Sequence, residues 1–210
     1  HLNAKRQVTQ LHFGGGSPTF LDAAQLTRLI HALSSHFNLS ENSQREYSIE
    51  IDPRTVSTDT LALLKGLGFN RISLGVQDFS PAVQKAVNRI NSFAMVEDLV
   101  IAARDYCYKS INFDLIYGLP LQNCDSLKTT LEQVIQLNPD RIAFYNYAHL
   151  PERFSSQRAI DRQTLPNAEE KLLMLHLISL TLTQAGYIYI GMDHFVKPND
   201  ELAIAQQQGQ

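Results

Sequence analysis

Glu50, Gln77 and Asp114 each fall near the end of a strand-like run: Tyr47–Asp52, Phe69–Gln77 and Ser110–Ile116. A further run, Val8–Phe13, leads straight into Gly14-Gly15-Gly16-Ser17-Pro18-Thr19. Successive strand ends therefore offer bare backbone, two carboxylates and an amide on what would be one rim. Such a set suits a ligand rich in hydroxyl and amino donors, because carboxylate and carbonyl oxygens accept from both. A phosphate suits it poorly. No Lys or Arg accompanies the glycines, and the segment is neither G-x-G-x-x-G nor G-x-x-x-x-G-K-[ST]. Arg89 is the nearest cation of the set. Each residue also has a plainer use. The glycines can make a tight connection or an anion nest, Glu50 can cap a helix, and Asp114 can hold a loop. Gln77 and Asp78 can close a turn, and Arg89 can lie solvated on a helix. It is the convergence of the strand ends that favours the ligand.

Other chemistries find less support. His12, His149 and His194 fall at strand ends, but none has a second His three or four residues on, as a helix-borne zinc pair would. His31, His36 and His176 lie on helical stretches. No G-x-S-x-G elbow occurs, and the two cysteines, Cys107 and Cys124, are too far apart for a C-x-x-C pair. They read as packed thiols in a reducing setting. Without a self-contained catalytic constellation or a metal site, an enzyme with this rim needs a cofactor to supply reactivity.

The elements that would position the rim alternate strand with helix. Asp22 and Gln25 make a capping box before a stripe of Leu26, Leu29, Ile30, Leu33 and Phe37. Ser57 caps a helix through Leu61 and Leu64 that stops at Gly66 and Gly68. Helical sequence runs from about Pro81 to Tyr106, and another helix carries Leu127, Leu131, Val134 and Ile135. Asp140–Tyr147 is a fifth strand. A long apolar helix over Asn167–Ala185 ends at Gly186 before a sixth strand, Tyr187–Gly191, and the polar tail Gln206–Gln210 reads as frayed. Alternating units of this kind predict a mostly parallel sheet. Parity then decides between sheet types. Tyr47, Ile49 and Ile51 oppose Ser48, Glu50 and Asp52; Ile72, Leu74 and Val76 oppose Ser73, Gly75 and Gln77; Ile111, Phe113 and Leu115 oppose Asn112, Asp114 and Ile116. Strands covered on both faces of an open sheet would be apolar on both. One apolar face and one polar face predict a barrel or partial barrel with its site at the C-terminal strand ends.

The bulk properties agree. With 210 residues, 44% hydrophobic and 19% charged, the chain fits one soluble domain over 1–210 with a sizeable core. A net charge of −3, with Lys and Arg dispersed, gives no footprint for nucleic acid or an anionic membrane. No apolar run nears the roughly 18–20 residues that span a bilayer, and no secretory signal is visible; a cytoplasmic location, in keeping with the reduced thiols, and a monomeric state are expected. The first residue is His1, within a strand-like approach, and a fragment is expected.

The blocks HFGGGSPTFL, SIEIDPR, NRISLGVQDF, VNRI, NFDLIYGLP, LNPDRIAFYNYAHLP and IGMDHFVKPNDELAIAQ, in that order, resemble oxygen-independent coproporphyrinogen III oxidases, radical S-adenosylmethionine enzymes of haem biosynthesis. The resemblance covers essentially all of the chain. It implies a partial (β/α)6 radical-SAM-type barrel, here incomplete, and two S-adenosylmethionine molecules per chain beside a [4Fe–4S] cluster. Gly15, Gly16 and Ser17 match the family's positions for the amino and carboxylate ends of the cofactor, with Ser17 where Thr is common. Glu50, Gln77, Asp114, Arg89 and Ala148 match further cofactor contacts, Ala148 through its backbone. The implied reaction is loss of two propionate carboxyls from coproporphyrinogen III, with vinyl groups left behind and an electron donor required. The family holds its cluster by a C-x-x-x-C-x-x-C loop that would lie upstream of His1, and it has a C-terminal domain. The chain is therefore expected to be an internal fragment, inactive alone.

Two rivals remain. A haem chaperone of the same fold would more often read EANPG at Glu50–Arg54, GVQSF at Gly75–Phe79 and EISNFA at Gly191–Phe195. An aldolase-like barrel would need a Schiff-base lysine or metal ligands on the rim, and no lysine is near those strand ends in the sequence.

Overall fold

The alternation read from the sequence is the alternation of burial along the strands. The computed structural model describes residues 6–209. In chain order its elements are β1 (Gln7–Val8), β2 (Gln10–Phe13), α1 (Ala23–His36), β3 (Asn38–Leu39), β4 (Glu46–Ile51), α2 (Thr58–Gly66), β5 (Arg71–Gln77), α3 (Pro81–Ala86), α4 (Phe93–Asp105), β6 (Ser110–Tyr117), α5 (Cys124–Leu137), β7 (Arg141–Asn146), α6 (Ala168–Gln184), β8 (Ile188–Gly191), β9 (His194–Val196) and α7 (Glu201–Gln207). In β4 the buried residues are Tyr47, Ile49 and Ile51, and Ser48 and Glu50 between them are half-buried. In β6, Ile111, Phe113 and Leu115 are buried while Asn112, Asp114 and Ile116 are less so. The chain forms two compact units, one up to Gly75 with Met95–Asn112, the other Val76–Ala94 with the residues from Phe113 on.

In the first unit β2, β4 and β5 are parallel neighbours, with His12 opposite Ser48 and Glu50 opposite Ser73. β1 pairs separately with β3, so the single expected strand over Val8–Phe13 is two short ones. Asp22 caps α1 through the box with Gln25, and Ser57 caps α2 with Thr60. Each satisfies amide groups that the first turn of a helix leaves open. The polar face of these strands is tied by polar bonds. Gln10 Nε2 donates to Glu46 at 2.9 Å, the Arg71 guanidinium to the same carboxylate at 3.1 Å, and Asn112 Nδ2 to Ser73 Oγ at 2.8 Å. Arg71 is buried, so its carboxylate partner is what makes a charge tolerable there.

In the second unit β7 pairs antiparallel with β9, and β9 antiparallel with β8. The expected sixth parallel strand is thus one arm of a hairpin, and its partner His194–Val196 is too short for its alternation to stand out in sequence. Met192 and Asp193 turn that hairpin with φ of 49° and 64°. The expected helix from Pro81 to Tyr106 is also interrupted. α3 ends at Ala86, Asn88 takes φ 52°, and the chain runs irregularly to α4. Gln84 explains the break. Its side chain bonds the carbonyls of Asp78 (2.8 Å) and Asn91 (2.7 Å) and accepts from Asn91 N–H (3.3 Å), which holds a loop where a helix would continue. Near the end of the chain, Gln206 and Gln207 belong to α7, capped by Asp200, and are not frayed.

Candidate cofactor site

The first unit carries Gly15, Gly16, Ser17 and Glu50, and brings two of them into contact. Glu50 stands near the C-terminal end of β4, and Gly15 N–H donates to its Oε2 at 3.1 Å. Its other oxygen lies 3.4 Å from His12 Nε2, while His12 Nδ1 meets Ser48 Oγ at 2.8 Å. These groups are well exposed, the Glu50 side chain by 42% and that of His12 by 61%. Two of the three glycines are required, each for a different reason. A Cβ on Gly14 would stand 2.5 Å from His12 Nε2 and 2.7 Å from Glu50 Oε1, so the protein's own side chains fill that space. Gly15 has φ +100°, which L side chains rarely adopt. Only at Gly16 is neither reason present: nothing lies within 4 Å of a Cβ, and the backbone faces open space. Ser17 precedes the single turn Pro18–Phe20 and makes no side-chain cap. A first prediction follows from Gly14. In Gly14→Ala the new methyl must displace Glu50 and His12, both free to swing outward. Stability is expected to hold within about 1 kcal/mol, while affinity for the ligand that Glu50 serves falls about tenfold, the worth of one lost hydrogen bond. Equilibrium dialysis beside a denaturant melt checks both.

The second unit carries Gln77, Arg89, Asp114 and Ala148. Gln77 ends β5 in the left-handed region, at φ 68°. Arg89 lies in the link between α3 and α4, its amide bonded to Gln84 O at 2.9 Å. Asp114 is on the less buried side of β6. Ala148 follows β7, and its carbonyl accepts from Gln157 Nε2 at 3.1 Å.

Sequence reading missed two groups in this unit. Lys171 comes from α6, some fifty residues beyond the end of β6, yet its Nζ donates to Tyr147 O at 3.0 Å and its Cε would meet a Cβ on Gly118 at 2.6 Å. A lysine does approach a strand end, and its ammonium is committed to a carbonyl. Asp78 is the other. It is 1% exposed, and burial pushes its carboxyl up to about 6 against bonds from Ser80 N–H, Gln122 and Thr130 that pull the other way. Gln122 had no signal in the sequence, since a single amide in a turn is ordinary.

An α/β unit with a glycine turn and an exposed carboxylate at a strand end defines a protein of the class that holds the polar end of a cofactor. A Radical SAM superfamily profile matches residues 1–134, well over half of the chain, and the chain belongs to that superfamily. Within it, the oxygen-independent coproporphyrinogen III oxidase of Pseudomonas aeruginosa is 54% identical over 209 residues, which is 100% of this chain and 45% of that protein. The protein of the same name from Salmonella typhimurium is 50% identical over 208 residues, 99% of this chain and 45% of its own length. The solved coproporphyrinogen III oxidase of Escherichia coli, described as a radical SAM enzyme, superposes with a TM-score of 0.95 at 48% identity, covering 98% of this chain and 47% of that one. The radical-SAM-type α/β fold and the resemblance read from the sequence blocks are borne out. The chain spans less than half the length of these relatives.

The superfamily implies S-adenosylmethionine and a [4Fe–4S] cluster. The residues of the first unit fit the former. Gly15 N–H already holds a carboxylate, that of Glu50, and so is competent to hold one from a ligand; Glu50 is an exposed acceptor for an ammonium; Gly16 leaves its backbone accessible. The cluster does not fit. Among the described residues no three of His, Cys, Asp and Glu are grouped to hold a metal, and Cys107 and Cys124 are the only thiols in the sequence. Among the described residues, too, no helix is long and apolar enough to cross a membrane.

Proposed function

We propose that this chain is the cofactor-binding core of an oxygen-independent coproporphyrinogen III oxidase, one radical SAM core domain over 1–210. The reading rests on identity of 54% along its entire length with a protein of that name. Gly15, Gly16 and Ser17 take the carboxylate and amino ends of S-adenosylmethionine, and Glu50 accepts from its ammonium. Gln77, Arg89, Asp114 and the Ala148 backbone make the remaining contacts, shared between two molecules of the cofactor. In the full-length protein the bound cofactor would supply the hydrogen-atom acceptor for the reaction. Each substrate propionate would give up one hydrogen atom, one electron and CO₂ to leave a vinyl group, the electron passing to an acceptor. The chain's own residues orient the cofactor. An electron donor, a cytoplasmic location and a monomeric state complete the proposal.

The alternative is haem delivery by a chaperone of the same fold. Against it stands Glu50-Ile51-Asp52-Pro53-Arg54, where the Asp52 carboxylate pairs with the Arg54 guanidinium at 2.7 Å, an ion pair that the sequence EANPG, with Asn and Gly at those places, cannot make. The test uses the full-length reconstituted protein without oxygen, given coproporphyrinogen III, S-adenosylmethionine and a low-potential reductant. Protoporphyrinogen IX and two equivalents of CO₂ are expected. Stable haem binding and transfer without decarboxylation would overturn the proposal in favour of the chaperone.

A further inference from the structure

The strongest unexplained feature lies beneath Gln77. This residue centres a three-residue turn closed by Asp78 N–H on Val76 O at 2.9 Å, with φ 68°. Such a turn is rare and strained for any residue with a side chain. It persists only if the surroundings determine it, and here they do so at several points. Asp78 O accepts from Gln84 Nε2, and Val76 O accepts from Asn91 Nδ2 at 3.3 Å. The Asp78 carboxylate takes Ser80 N–H on one oxygen at 2.5 Å and Gln122 Nε2 on the other at 2.7 Å. Thr130 hydroxyl accepts Phe79 N–H at 3.3 Å and also bonds Asp78.

Gln122 is used to capacity. Its amide nitrogen donates to Asp78 and to Ile116 O at 3.1 Å, and its oxygen accepts from Gly118 N–H at 2.6 Å and Leu119 N–H at 3.2 Å. Both donors and both lone pairs of the side chain are thereby satisfied. Asp78, Gln84, Asn91, Gln122 and Thr130 are all buried. A carboxylate is a costly way to close a turn at such depth, since an asparagine would cap Ser80 without a buried charge. What the carboxylate adds is a second acceptor oxygen facing Gln122, which ties the turn at the end of β5 to the turn after β6.

We propose that Asp78 and Gln122 are a positioning pair that fixes the strained turn at Gln77, and that S-adenosylmethionine binding at Gln77 depends on it. The inference rests on the reading of Gln77 as a cofactor contact. It extends that reading to residues that carry no cofactor role in the sequence resemblance.

Asp78→Asn places an amide NH₂ against either Ser80 N–H or the Gln122 NH₂, and turning Gln122 over to relieve the clash would break its bonds to Gly118, Leu119 and Ile116. The double exchange Asp78→Asn with Gln122→Glu restores a donor facing an acceptor and keeps acceptors for Gly118 and Leu119; only the bond to Ile116 O is lost. On the full-length protein, the dissociation constant of S-adenosylmethionine is measured by equilibrium dialysis, beside thermal melting, for the parent, Asp78→Asn, the double exchange and Gln77→Ala. The expected result is a loss of about tenfold in Asp78→Asn, as for a hydrogen bond to a charged group, with recovery to within about threefold in the double exchange. If Gln77→Ala loses affinity and Asp78→Asn does not, the pairing is overturned and the cofactor reading stands. A loss in Asp78→Asn that the double exchange fails to recover also overturns it. If Gln77→Ala binds like the parent, the reading itself falls and takes the pairing with it. Should Asp78→Asn fail to fold, Gln122→Met breaks the same tie from the other side, together with the bonds to Gly118, Leu119 and Ile116, and must show at least the same loss.

Discussion

Glu50→Leu is expected to cost about a hundredfold in affinity for S-adenosylmethionine while leaving the melting temperature nearly unmoved. The two halves have separate causes. The Glu50 side chain is 42% exposed, and its bonds run to a glycine amide and to an exposed histidine. Removing a half-solvated carboxylate from a strand costs the fold little, and leucine is not out of place in β4. In the bound state the same carboxylate would face the cofactor's ammonium with less water around it. A charge-assisted bond is worth about 2–3 kcal/mol there, hence about a hundredfold. Glu50→Gln is the informative companion: it keeps an acceptor for Gly15 N–H but loses the charge, and should fall between the parent and Glu50→Leu. Equilibrium dialysis against calorimetric melting measures both. Equal affinity in Glu50→Leu and the parent would remove Glu50 from the site.

The site was legible in sequence where a residue's role follows from strand parity. Tyr47, Ile49 and Ile51 determine which face of β4 is buried, and so place Glu50 on the other. The helix caps were legible for a different reason: Asp22–Gln25 and Ser57–Thr60 are reciprocal bonds between residues close in sequence. The glycine run was legible as a candidate site but not in its reasons, because Gly14 is required by His12 and Glu50, which reach it from two strands. What stayed hidden depends on contacts far apart in sequence. The break after α3 is made by Gln84 reaching Asn91 and Asp78, and Val-Asn-Arg-Ile carries no proline or glycine to announce it. Lys171 reaches Tyr147 and Gly118 from a helix that begins well after both. β9 is three residues long and owes its existence to the register of β7, with Ala143 opposite His194.

Asp78 should also make the protein less stable as pH rises, the reverse of the usual behaviour of a paired carboxylate. Its carboxyl is raised from 3.8 to about 6 because burial outweighs the three bonds that favour the charged form. Those bonds come from Ser80, Gln122 and Thr130, which are all neutral, so no opposite charge offsets the burial. Between these two values the native state holds a proton that the unfolded chain has released. Stability therefore falls across that window with rising pH, by about 3 kcal/mol in total at 1.36 kcal/mol per unit, and is flat above it. Urea unfolding at pH 5 and pH 7.5 isolates the effect when the parent is compared with Asp78→Asn, which cannot ionise. The parent's stability relative to the variant should drop by about 1 kcal/mol from the lower to the higher pH. A rise would mean that the bonds outweigh burial and that the carboxylate is simply a good turn cap. A fall means that at neutral pH the fold carries an ionised group that it would be more stable without. Such a cost persists where the charged oxygens are needed in place, and here they hold the turn on which Gln77 stands.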